Sequence, residues 1–81
     1  MGSLQFYKLP GCPYCAKVER ELNELGVDFE TIEVPPDHAD RDMVEALTGR
    51  TQVPVIVDED HGVSGMDESD RIVEYLRETY A

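Results

Sequence analysis

The sequence has no tryptophan, two phenylalanines and two cysteines, and its seven basic residues stand against eighteen acids. Each scarcity excludes something. Two cysteines cannot make the disulfide framework of a small secreted scaffold, which needs four or more. A net charge of −11 and a pI near 4.3 exclude nucleic acid and anionic membranes as partners on electrostatic grounds. No stretch approaches the roughly 20 apolar residues of a membrane span. Met1-Gly2-Ser3 leads straight into the first strand with no basic or apolar leader region, and Phe6 stands where an N-terminal acylation motif needs Ser or Thr. There is no internal repeat, linker or low-complexity segment. The expectation is one cytoplasmic domain over residues 1–81, monomeric, with a lean core because so short a chain buries only about 60–65% of its unfolded surface. Acid of this density repels itself unless screened, which suits a protein working in concentrated salt.

What is present is concentrated at Gly11-Cys12-Pro13-Tyr14-Cys15. The apolar run Leu4-Gln5-Phe6-Tyr7 precedes it and the helix-period run Val18, Leu22, Leu25 follows. Cys12 therefore falls at a strand-to-helix junction. Free backbone N–H groups and the positive end of the helix dipole favour negative charge there. A thiolate is such a charge, and this setting lowers a cysteine pKa from about 8.5 toward 3.5–7.5. Pro13 suits the first helical turn, where its missing N–H would have been unpaired anyway. Cys15, one turn on, is close enough to close a disulfide onto Cys12, which makes the pair a redox site. Two other readings are weaker. A structural disulfide closing so short a loop removes little chain entropy. Zinc wants four ligands, and His38 and His61 show no ligand spacing, so no metal site is expected.

Along the chain, Leu4 to Lys8 reads as a strand and residues 13 to 25 as a helix, with Cys15, Val18, Leu22 and Leu25 inward and Glu19, Arg20, Glu21 and Glu24 outward. Gly26 closes that helix. Val27 to Val34 reads as a second strand ended by Pro35-Pro36, although Phe29 is out of phase with Ile32. Asp37 to Thr48 reads as a helix capped by Asp37 or Asp40, with Met43, Val44 and Leu47 inward and Gly49 ending it. A polar loop leads into Val55-Ile56-Val57. A turn at Asp58 to Gly62 joins a short strand, Val63-Ser64. Residues 67 to 79 form the last helix, capped by Asp67 or Ser64, with Ile72, Val73, Leu76 and Tyr80 inward. The order is β-α-β-α-β-β-α, an α/β fold whose first two strands are parallel across a helical crossover.

Three motifs carry a family resemblance: Cys12-Pro13-Tyr14-Cys15, then Thr51-Gln52-Val53-Pro54, then Gly65-Met66-Asp67-Glu68-Ser69 running into Ile72-Val73-Glu74-Tyr75-Leu76. Over residues 4 to 80 the chain resembles the dithiol glutaredoxins of the thioredoxin-fold superfamily. Its third motif is similar to the glutathione-binding N-terminal domain of glutathione transferases. The resemblance implies a thioredoxin-like fold, a four-stranded mixed sheet flanked by three helices. It implies thiol–disulfide exchange, with Cys12 as nucleophile, Cys15 as resolving thiol, and no bound cofactor. Glutathione or a related γ-glutamyl thiol would be the co-substrate and protein disulfides the other substrates. It further implies a cis peptide bond before Pro54, with the Val53 backbone free to pair with an extended thiol peptide. Ser69 and the backbone at Glu68 would receive a carboxylate at a helix N-terminus, and the Glu68 side chain an ammonium. Tyr14 would flank the thiol with its ring, and Gln52 or Arg50 could hold the glycine carboxylate. Lys8, Lys17 and Arg50 are the candidate stabilisers of thiolate or carboxylate.

One departure concerns the basic residue that many glutaredoxins carry three positions before the nucleophile. Leu9 stands there, and Lys8, one residue earlier, points to the opposite face of a strand. A γ-glutamyl thiol without the glycine end, such as γ-glutamylcysteine, is therefore an alternative to glutathione. The rival functions are a thioredoxin-like protein reductase, which needs no small-thiol site, an iron–sulfur scaffold, which Pro13 disfavours, and a transferase, which needs a second domain.

Overall fold

Strand β1 (Leu4–Lys8) is central in a four-stranded sheet of order β2-β1-β3-β4. Its parallel neighbour is β2 (Phe29–Glu33) and its antiparallel neighbour is β3 (Val55–Asp58), which pairs in turn with antiparallel β4 (Val63–Asp67). Helices α1 (Pro13–Glu24), α2 (Asp42–Thr48) and α3 (Ser69–Tyr80) complete the chain. These elements come from a computed structural model that describes residues 4–81. Met1-Gly2-Ser3, on which the expectation about a leader region rests, lie outside the described residues.

Period-2 alternation along β1 and β3 divides the core between the two faces. Leu4 and Phe6 of β1 and Ile56 of β3 pack with Cys15, Val18 and Leu22 of α1 and Ile72, Val73 and Leu76 of α3. Tyr7, Val55 and Val57 point to the other face and pack with Val34 and with Val44 of α2. The phase conflict in β2 has the same origin. Phe29 packs on the α1/α3 side, with its ring edge-on to Phe6 at 5.9 Å, and Ile32 packs on the α2 side. This edge strand sets one half-buried apolar residue on each face, so it cannot show one-sided alternation.

Helix α1 ends as its glycine predicts. Gly26 takes φ 68°, the Val27 N–H donates to the Leu22 carbonyl at 3.1 Å and the Gly26 N–H to that of Asn23 at 3.2 Å. This paired closure satisfies carbonyls that a helix end leaves open, and it delays β2 to Phe29. Glu21, expected outward, is buried instead, where its carboxylate accepts a hydrogen bond from Arg77 of α3 at 2.9 Å.

The expected helix over 37–48 is broken. Asp37 caps a single 3-10 turn (His38–Asp40) by accepting from the Ala39 N–H at 3.0 Å, Arg41 leaves helical geometry at φ −99° and ψ 47°, and α2 starts afresh at Asp42. Within α2, Val44 and Leu47 set the buried stripe. Met43, one residue and about 100° away, is 53% exposed where the sequence reading turned it inward. Strand β4 is longer than Val63-Ser64 and runs through Gly65 to Asp67. Gly65 belongs there because a Cβ at this position would lie 2.6 Å from the carbonyl oxygen of Leu47, so β4 and the end of α2 approach too closely for any other residue.

Candidate functional site

Cys12 follows directly from the end of β1. Its N–H donates to the Leu9 carbonyl at 3.1 Å, its backbone is extended (φ −78°, ψ 119°), and Pro13 opens α1 behind it. The cysteine is thus the N-cap of the helix, a place usually held by Ser, Thr, Asp or Asn. Its Sγ does their work by accepting the backbone N–H of Cys15 at 3.3 Å. The sulfur is partly exposed, and both cysteines are free thiols.

Cys15 is different in kind. It is 1% exposed and packed among Leu4, Phe6 and Val18. Burial pushes its thiol up to about 12, and the neighbouring Cys12 adds to the rise, against smaller opposing effects of the Leu9 backbone and the Lys8 charge. One turn of helix therefore carries an accessible sulfur that accepts a backbone hydrogen bond and a buried one that keeps its proton.

Beside this turn lies a groove of about 210 Å³, walled by Tyr14, Gln52, Val53, Pro54, Glu68, Ser69 and Asp70. All six residues named from sequence as small-thiol contacts are among its walls. Tyr14 stands 64% exposed on the α1 side. Gln52, Val53 and Pro54 come from the segment entering β3, and the Val53–Pro54 bond is cis, as the family resemblance implied. Glu68 and Ser69 come from the β4–α3 junction. There Glu68, rather than Asp67 or Ser64, is the N-cap of α3, at φ 69° and ψ 115° and with no side-chain cap bond. Positive φ is uncommon for a residue with a Cβ and concentrates at functional sites. Asp67 is held back in β4 opposite Val55, buried, with its Oδ2 lacking a hydrogen-bond partner.

The structure sets each of the three candidate bases against a carboxylate. Lys8 Nζ is 2.6 Å from Glu19 Oε1, and that hydrogen bond raises the Lys8 ammonium above its ordinary value. Lys17 hydrogen-bonds Asp70, whose carboxyl is held below the usual range by that ammonium. Arg50 stands 3.7 Å from Asp67 and 3.6 Å from Glu68, at the edge of the groove. Lys8 still acts on Cys15 through its charge, which pulls that thiol downward. Sequence reasoning missed Asp70, although an acid in the first turn of a helix is a recognisable start signal. It also missed Arg41, whose buried guanidinium holds the Thr51 carbonyl just ahead of the groove wall.

The sequence model of the family described as glutathione S-transferase, N-terminal domain, matches residues 6–81. The hybrid peroxiredoxin hyPrx5 of Haemophilus influenzae is 35% identical over 69 residues, 85% of this chain and 28% of that protein. Glutaredoxin 3 of Escherichia coli K12 is 29% identical over 68 residues, 84% of this chain and 82% of that one. Among solved structures, a glutathione S-transferase from Xanthobacter autotrophicus Py2 superposes with a TM-score of 0.80 at 29% identity, over 95% of this chain and 38% of that one. The chain thus spans most of a glutaredoxin and little more than a third of a transferase. With its fold, its Cys-Pro-Tyr-Cys turn and these matches together, the chain belongs to the glutathione S-transferase N-terminal-domain family and is a glutaredoxin-like protein of the thioredoxin fold.

Proposed function

We propose that this protein is a thiol–disulfide oxidoreductase of the glutaredoxin type, with Cys12 as nucleophile, Cys15 as resolving thiol and glutathione or a related γ-glutamyl thiol as reductant. The observation that carries the reading is the asymmetry of the pair. Cys12 is reachable and sits at a helix N-terminus as acceptor of the Cys15 N–H. Cys15 is buried with its thiol pushed up to about 12. Attack falls to the first sulfur and resolution to the second.

The Cys12 thiolate attacks a mixed disulfide at the sulfur of the small thiol. A Cys12–small-thiol disulfide forms and the protein thiolate leaves and takes up a proton. A second small thiolate then attacks this intermediate, giving the small-molecule disulfide and restoring Cys12. With a protein disulfide as substrate, Cys12 bonds to one substrate sulfur, and Cys15 loses its proton and attacks Cys12. This releases the reduced protein and leaves a Cys12–Cys15 disulfide, which two small thiols reduce. The groove holds the small thiol in this reading, with the Val53 backbone alongside it, Ser69 and the start of α3 taking its carboxylate, Glu68 its ammonium, and Tyr14 and Gln52 its flanks. Two free thiols that must stay reduced between turnovers suit the cytosol. A transferase needs no resolving thiol, so the second cysteine favours reduction over conjugation.

The test is an exchange assay on a glutathionylated peptide, with glutathione, γ-glutamylcysteine and thioredoxin reductase supplied in turn as reductant. Cys12→Ser should abolish turnover. Cys15→Ser should keep reduction of the glutathionylated peptide and lose the dithiol route to protein disulfides. A dead Cys15→Ser beside an active Cys12→Ser would reverse the roles. Turnover with thioredoxin reductase alone would replace the small-thiol reading with a thioredoxin-like one.

A further inference from the structure

Arg41 is 4% exposed, and its guanidinium is satisfied by carbonyl oxygens rather than by a carboxylate. Its Nε donates to the carbonyl of Pro35 at 2.8 Å, Nη2 to that of Pro36 at 3.2 Å and Nη1 to that of Thr51 at 2.8 Å. The ring of His38 lies between, with Nδ1 2.9 Å from the Thr51 hydroxyl and Nε2 3.5 Å from Arg41 Nη1. We infer that Arg41 is a positioning residue for the groove beside Cys12: with His38 it fixes the backbone at Thr51, and through it the Gln52-Val53-Pro54 wall. The inference rests on the reading of that groove as the small-thiol site.

The segment between α2 and β3 needs such a hold. Strand pairing begins only at Val55, so no ladder fixes Gln52, Val53 and Pro54, which form three of the seven groove walls. The far side of the clamp is well anchored. Pro35 follows Val34, whose N–H donates to the Lys8 carbonyl at 2.8 Å, at the end of the strand that delivers Cys12. Arg41 thus ties the groove wall to the same strand end as the nucleophile. A planar guanidinium reaches three carbonyls in fixed directions, which an ammonium on a flexible stem cannot do. A buried charge without a carboxylate is retained only where hydrogen bonds compensate it, and these bonds converge on the two loops beside the site.

The experiment compares Arg41→Met, Arg41→Lys and Val44→Ala in the full chain. Val44→Ala opens the core that Val53 packs against but leaves every hydrogen bond of the clamp in place. The substrate is a glutathionylated peptide with glutathione as reductant, and the readouts are KM, kcat, iodoacetamide alkylation of Cys12 and the urea midpoint. Below its unfolding transition, Arg41→Met should raise KM roughly tenfold, well inside what an ångström-scale misplacement can cost, and leave Cys12 alkylation unchanged. Arg41→Lys should show a smaller rise and Val44→Ala none. A folded Arg41→Met with wild-type KM overturns the assignment, and so does a Val44→Ala that raises KM equally. Should Arg41→Met fail to fold, a wild-type KM in Arg41→Lys overturns it. If the wild-type protein does not turn over the peptide at all, the small-thiol reading has failed instead. The clamp is then read from backbone NMR order parameters of Thr51, Gln52 and Val53, which fall in Arg41→Lys if the guanidinium holds this segment and stay put if it does not.

Discussion

Asp58 is a carboxylate with no exposed surface at the end of the sheet away from the cysteines, where β3 pairs with Leu4. Its Oδ2 accepts hydrogen bonds from Tyr75 Oη at 2.7 Å, from Tyr80 Oη, and from His61 Nδ1 at 3.0 Å. Burial alone would push its carboxyl up, but the two hydroxyls and the imidazole outweigh that and hold it below the ordinary value. The same contacts, with burial, push Tyr75 up to about 12 and Tyr80 further. A carboxyl depressed by folding contributes stability above its unfolded pKa of about 3.9 and loses it as pH falls through the lower folded value. Asp58→Asn should therefore destabilise the protein at pH 7 by roughly 2–3 kcal/mol, the scale of hydrogen bonds to a charged group. The deficit should shrink toward pH 2, as the falling pH drives a proton onto the wild-type carboxyl. Urea unfolding of both proteins at the two pH values checks this, and a deficit independent of pH would assign the effect to shape rather than charge. Nothing in the sequence marks Asp58 apart from Glu59 and Asp60 beside it. Two of its three partners lie 17 and 22 residues downstream, on a helix whose turn toward the sheet only tertiary packing decides. The opposite holds for Cys12 and Pro13, whose roles follow from neighbours within one helical turn and were legible for that reason.

At the scale of elements, local chemistry predicted existence and tertiary contacts moved the boundaries. The Gly26 helix end and the succession of four strands and three helices along the chain could be read from glycines, prolines and apolar period. Their assembly into one mixed sheet followed from the family resemblance. The break before α2 could not, because it follows from Arg41 reaching carbonyls on both sides of its own helix. Nor could the full length of β4, since Val-Ser-Gly-Met-Asp does not read as a strand and is one only because β3 and α2 flank it. Five of the six groove contacts lie just outside regular elements or at their first residue, where motif resemblance located them and periodicity was silent. Gly65 makes the packing testable. In Gly65→Ala the new methyl would meet backbone, the Leu47 carbonyl at 2.6 Å, which cannot rotate away as a side chain could. The strand or the helix must shift, and overpacking of this kind costs about 1–3 kcal/mol. The variant should unfold at lower urea with an unchanged slope. Because β4 leads directly into Glu68 and Ser69, its KM for the glutathionylated peptide should rise as well. Wild-type stability in Gly65→Ala would mean that α2 and β4 are not packed this closely in solution.

The whole molecule carries a net charge of −11, and its folded surface offers few bases to offset it. Lys8, Lys17, Arg50 and Arg77 already face carboxylates, and Arg41 is buried against carbonyls. Each exposed pair contributes little by itself, so adding further pairs within this composition cannot balance the charge. What remains is repulsion among acids on a small body, a term that favours the expanded chain because expansion separates like charges. Added salt weakens it. The Debye length falls from about 10 Å at 0.1 M to about 3 Å at 1 M, which separates most surface carboxylates from one another electrostatically. The melting temperature should therefore rise by several degrees between about 0.1 and 2 M KCl, since about 1 kcal/mol moves a domain of this size by roughly 4–8 °C. Generic exclusion of salt from protein surface would also stabilise, so a charge variant is needed. Glu74→Gln with Glu78→Gln removes two exposed acids from α3. If screening is the cause, this variant should start from a higher melting temperature at low salt and gain less on addition of KCl. A wild-type melting temperature flat in KCl, or an equal gain in the charge variant, would place the stability of this fold in its core alone and leave the acid surface without a role in it.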